Sequence, residues 1–178
     1  MNAGAVPPTE LLVPPRFRAA DDWFVVRRHD ELVTCYGWCP AERLVRRWRA
    51  LLDQLDPAVD LCIASRRDGR AWRGELLALP DVREAIGPLL RPLATYGACE
   101  LSVYTPDEQL TISASLALVA TGRTDRWVYL LEGAGFQQRE QVPSPDWDPE
   151  TAALLEAPAL GQAIREVVAA LALAECDA

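Results

Sequence analysis

Lysine is absent from the 178 residues: all 18 basic side chains are arginine, and Asn2 and His29 are the only asparagine and histidine. These gaps exclude a P-loop lysine, a Schiff-base lysine and an asparagine-built oxyanion hole. A single histidine also rules out a His–His metal pair. A zinc set of His29, Cys35 and Cys39 would still lack the fourth ligand of a closed structural site. No serine sits in a GxSxG elbow, and Gly133-Ala134-Gly135 lacks the third glycine of a phosphate loop and runs into Gln137-Gln138-Arg139. The sequence thus offers no catalytic constellation, no metal site and no cofactor fingerprint.

Long apolar runs are missing too. No stretch approaches the ~18 apolar residues of a membrane-spanning helix. The first residues, MNAGAVPPTELLVPPRF, have neither a basic leader nor a continuous apolar segment. The expectation is a soluble protein in a reducing cytoplasm, which suits an odd count of five cysteines, several of them inside apolar alternation.

The net charge of −8 is unevenly spread. Residues 1–50 hold eight arginines against six acids, residues 101–178 four against twelve. An acidic surface repels phosphate backbones and anionic lipid, so neither nucleic acid nor membrane is an expected partner, whereas a basic protein would be steered toward it.

Half of the chain is hydrophobic, enough for one domain with a sizeable core. Residues 1–20, with Pro7, Pro8, Pro14 and Pro15, read as a proline-rich arm, flexible or docked, and 21–178 as a single α+β domain. Within it, 23–28 and 32–38 form one hairpin. A helix opening at Cys39-Pro40-Ala41-Glu42 carries the apolar stripe Leu44, Val45, Trp48, Leu51, Leu52 and Leu55. A second hairpin joins 61–65 to 71–79 through Asp68-Gly69. Residues 81–97 hold Pro88 and Pro92, which predicts two short helices or one kinked one.

Residues 99–133 carry the clearest alternation, and predict a three-stranded antiparallel meander. Its inward faces would be Leu101 and Val103, then Leu110, Ile112, Ala114, Leu116 and Leu118, then Trp127, Tyr129 and Leu131. A polar proline-rich connector, 137–149, leads to a C-terminal helical region, 150–175, whose stripe Leu160, Ile164, Val167, Val168 and Leu171 either caps the sheet or meets a second copy as a homodimer. The expected fold is α+β, with a mainly antiparallel sheet of two hairpins plus the meander, helices on one face and an amphipathic C-terminal helix.

Three clusters stand out as candidate sites. Trp147 lies between Asp146 and Asp148 with Glu150 close by, an indole ringed by acids that would anchor a cationic protein partner. Cys39 at a helix N-terminus, with Cys35 as resolving thiol, is a redox candidate, although the spacing is CxxxC and not CxxC. Arg43, Arg46 and Arg47 form a candidate anion-binding surface. With no catalytic set, the leading expectation is a non-enzymatic protein-binding module such as a toxin-neutralising immunity protein or a secretion or assembly chaperone. The alternatives are a thiol-based redox protein centred on Cys39 and a small-molecule-binding domain.

Overall fold

Period-2 alternation builds the middle of a nine-stranded sheet, and period-3.6 stripes cover one side of it. The computed structural model describes residues 22–141 and 149–176. Its strands are β1 (Trp23–His29), β2 (Leu32–Trp38), β3 (Ala58–Ser65), β4 (Arg70–Ala78), β5 (Cys99–Tyr104), β6 (Glu108–Ile112), β7 (Leu118–Gly122), β8 (Gln137–Gln138) and β9 (Ala174–Cys176). They lie in the order β8-β1-β2-β7-β6-β5-β3-β4-β9. Every described pairing is antiparallel except that of β1 with β8. The meander β5-β6-β7 therefore sits at the centre, flanked by the two hairpins.

Two rows of side chains cross the sheet on its inner face. One runs Trp72, Ile63, Leu101, Ile112, Leu118, Gly37, Phe24; the next runs Gly74, Leu61, Val103, Leu110, Ala120, Cys35, Val26. The large apolar members are almost all fully buried, under the helices α1 (Ala41–Leu52), α2 (Leu79–Tyr96), α3 (Arg126–Gly133) and α5 (Pro158–Ala170), while the short α4 (Pro149–Ala153) packs through Ala152 beside Ala98. Trp48 and Leu52 of α1, Ile86 and Leu89 of α2, Trp127 and Leu131 of α3 and Leu160 and Ile164 of α5 join these rows in one cluster. The C-terminal stripe thus packs inward, chiefly against α2.

The two hairpins and α1 follow the sequence expectation closely. Gly69 at φ 65° makes the tight turn between β3 and β4, and Asp30 at φ 52° the one between β1 and β2. Pro88 and Pro92 do not divide α2, which is continuous over 18 residues. Pro88 is exposed and Pro92 half-buried, so the carbonyls they leave unpaired lie toward water.

The meander departs from expectation in its third strand. The long second run breaks at Ser113–Ala117, where Leu116 takes φ 61° and Ser113 Oγ accepts the Ala117 N–H at 3.0 Å. Its two halves become β6 and β7. Residues 126–133, expected as the third strand, are instead α3, where Trp127, Val128 and Leu131 are buried and Tyr129 is 69% exposed. Those buried positions follow a helical period, and the carbonyl of Asp125 accepts the N–H groups of Val128 and Tyr129 to start the helix. Strand β8 lies within the expected connector, and β9 extends the sheet past β4.

Candidate functional site

Helices α1, α2, α3 and α5 join the core on the inner face, and the other face carries the alternate side chains of the same strands, of which Trp23, Val25, Ser102 and Thr111 are buried. One cross-strand row there is Arg73, Cys62, Ser102, Thr111, Val119, Tyr36, Val25; a second is Asp60, Tyr104, Gln109, Thr121, Thr34, Arg27. These are the alternate residues of the strands that build the core. Ala41, at the start of α1, packs on this face beside Trp23 and Trp38.

The face carries a connected polar network. Ser102 and Thr111, 1% and 3% exposed, share a hydrogen bond at 2.8 Å. Ser102 Oγ donates to Glu100 Oε1 at 3.2 Å, and Gln109 Nε2 donates to Thr111 Oγ1 at 2.9 Å. One strand pair further on, Thr34 and Thr121 join at 3.1 Å. Burial raises the Tyr104 phenol and the Cys62 thiol above their ordinary values, so both stay protonated donors. At one end, Trp23 and Trp38 stack with centroids 4.5 Å apart, and Arg139 lies over Trp23 at 5.5 Å. Hydroxyls, amides and aromatic faces in fixed positions suit recognition, since strands hold side chains more rigidly than loops do.

The sequence candidates fall elsewhere. Cys35 lies on the helix-covered face and is fully buried. Burial pushes its thiol up to about 11. Cys39, between β2 and α1, is 9% exposed, and burial, with the Asp22 carboxylate adding to it, pushes that thiol up to about 12. Desolvation thus outweighs the pull of the helix dipole on which the redox expectation rested. All five cysteines are free thiols.

Arg43 and Arg47 already hold an anion from the chain itself. Asp22, 4% exposed at its side chain, accepts Arg43 Nε at 2.8 Å on Oδ1 and Arg47 Nε at 2.8 Å on Oδ2, and each arginine brings an NH2 group to the same oxygen as its Nε. Arg46 points to solvent. Trp147, Asp146 and Asp148 lie outside the described residues. Glu150 is exposed and pairs with Arg66 at 2.8 Å. The exposed His29 contacts Asp30 at 3.0 Å.

Sequence reading overlooked the open face, although its signal was present as the polar half of each alternation, Glu100-Ser102-Tyr104 and Gln109-Thr111. It also overlooked Asp22 as the partner of two arginines. Among the described residues, no helix is long and apolar enough to cross a membrane. No family model, no curated protein and no solved structure matches this chain.

Proposed function

We propose that the protein is a non-enzymatic binding module that presents the open face of its sheet to another protein, in the way a toxin-neutralising immunity protein or an assembly chaperone does. The observation that carries this reading is the packing of α1, α2, α3 and α5 on one face, with a fixed network of Glu100, Ser102, Gln109 and Thr111 on the other. A net charge of −8 favours a basic partner. The acids around Trp147 would extend the same attraction.

Affinity capture with the whole chain at low salt tests the reading. One stoichiometric partner should be retained, should survive Tyr129→Arg on the helical side, and should be lost with Gln109→Arg or on reversing the charges of Asp146, Asp148 and Glu150. Capture that Gln109→Arg leaves unchanged would move the interface off the sheet. Homodimerisation through α5 would have to use its outer face, with Gln162, Glu166 and Ala169, because its apolar stripe is occupied. A monomeric mass in light scattering would exclude it.

A thiol-based function centred on Cys39 draws less support, since a buried thiol held near 12 is a poor nucleophile. The small-molecule reading has one observation behind it, an external cleft of about 480 Å3 between α1 and α2 with Arg49, Arg83 and Glu84 at its walls.

A further inference from the structure

A smaller cavity, of about 160 Å3, lies on the helical side where the first turn of α5 meets the β3–β4 turn. Ser65, Arg67, Arg70, Trp72, Leu160 and Arg165 line it. We propose that it binds a phosphoryl oxyanion, either inorganic phosphate or the end of a small phosphomonoester. The site is separate from the open face and stands or falls independently of the binding function proposed there.

Ser65 is the first reason. It closes the inner face of β3, is 5% exposed and lines the cavity, yet its hydroxyl has no hydrogen-bond partner among the described residues. That oxygen is not sealed off from the cavity, so it can donate to an acceptor bound there.

The second reason is charge. Glu175, beyond Arg70, takes its Nε at 2.8 Å and NH2 at 2.7 Å, while Asp68 on the wall keeps its charge, its Oδ1 only facing the Arg70 backbone N–H at 3.4 Å. Among the described residues, Arg67 and Arg165 have no carboxylate partner. Arg67 gives its terminal nitrogens to the carbonyls of Tyr96, Gly97, Ala153 and Leu155, which fixes the cation in place without neutralising it. Its Nε is buried and unpaired.

Helix α5 supplies the third. Its N-cap, Ala157, provides no side-chain acceptor, and Pro158 has no N–H. Gly161 is the first residue of the helix to bond back, to Ala157. The N–H groups of Ala159 and Leu160 therefore have no acceptor within the helix, at the end where the dipole favours an anion. Arg67 and Arg165 outnumber the single Asp68 carboxylate, and with a hydroxyl and a helix N-terminus they favour an oxyanion with several acceptor oxygens over a carboxylate with two. The volume, about five times the share of one water molecule in liquid, admits a phosphoryl group and little more.

Amide NMR on the full chain, titrated in turn with inorganic phosphate, phenyl phosphate and acetate, tests this. The expected result is saturable shifts at the Ser65, Ala159 and Leu160 amides with both phosphates, and far weaker ones with acetate. Tighter binding of phenyl phosphate would identify a phosphomonoester as the ligand, and equal binding the free anion. Ser65→Ala and Arg165→Gln should each weaken affinity by about tenfold or more, the value of one charge-assisted hydrogen bond. Arg165 is exposed, so its variant decides the matter even if Ser65→Ala disturbs the fold. Absence of saturable shifts at these amides, unchanged affinity in Arg165→Gln, or acetate binding as tightly as phosphate would overturn the proposal.

Discussion

Arg47 reaches back 25 residues to donate Nε to Asp22 Oδ2 at 2.8 Å, tying the middle of α1 to the start of β1 beneath an Arg47–Phe136 contact of 5.5 Å. Asp22 is 4% exposed at its side chain, and Arg43 and Arg47 are 38% and 24% exposed. The carboxylate is therefore the buried partner, and the arginines can regain water when it is removed. Asp22→Ala should lower unfolding free energy by about 2–3 kcal/mol, below the full cost of stranding a buried charge. Urea denaturation measures it; a loss under about 0.5 kcal/mol would mean that the pair merely balances its desolvation.

Arg67 performs a similar task with neutral partners. Its guanidinium joins the C-terminal end of α2 to the segment after α4 through four carbonyls, so Arg67→Ala should cost about 2–4 kcal/mol by leaving acceptors unpaired. Lysine cannot span the same fork, and Arg67→Lys should recover less than half of the loss. Thermal unfolding of the two variants side by side makes the comparison.

At Leu76 the backbone takes φ 52° in a β-bulge opposite Asp60, whose Oδ1 accepts the Leu76 N–H at 2.9 Å, and the leucine side chain is 85% exposed. Left-handed backbone costs a residue with a Cβ about 1–2 kcal/mol, and this side chain buries little in return. Leu76→Gly should therefore raise the unfolding free energy measured in urea, by up to about 1 kcal/mol after the entropy of the unfolded glycine is counted. Asp60→Ala should lower it by removing the acceptor. A destabilised Leu76→Gly would show that the exposed side chain makes contacts worth more than the strain.

Three buried thiols should weaken the fold at alkaline pH. Burial raises Cys35 to about 11 and Cys39 and Cys99 to about 12, against 9.0 for an unperturbed thiol. A group whose folded value lies above its unfolded one contributes stability that is complete below the unfolded value. Between pH 9 and 12 the unfolded chain sheds protons the native one keeps, so stability falls as pH rises. Urea midpoints should drop across this window, and Cys39→Ser or Cys99→Ser should flatten the decline. At pH 8 the exposed Cys176 should react with a thiol reagent well before the other four.

Legibility in the sequence followed the length of each periodic run. Both hairpins and α1 could be read because seven to twelve residues of unbroken period allow one assignment. The stretch 126–133 could not, since five consecutive apolar residues, Trp127 to Leu131, fit a strand and a helix equally. Strands β8 and β9, of two and three residues, lie below any periodic signal and exist through their neighbours in the sheet. Site residues were harder still. The Asp22 pairing with Arg43 and Arg47 and the cavity beside Ser65 join segments 20 to 100 residues apart, which no local pattern records.

The central place of the meander also dictates an order of assembly. Its internal pairs are local: Ser102 meets Thr111, and Thr111 meets Val119. By contrast, β2 reaches β7 through Val33 and Gly122, with the second hairpin, two helices and most of the meander intervening. Closing so long a loop costs entropy that is repaid only once a template edge exists, so β7 must already be in place when the first hairpin docks. Folding should thus nucleate in β5–β7. Substitutions at Val103 or Leu110 should slow refolding, while those at Val25 or Phe24 should mainly hasten unfolding.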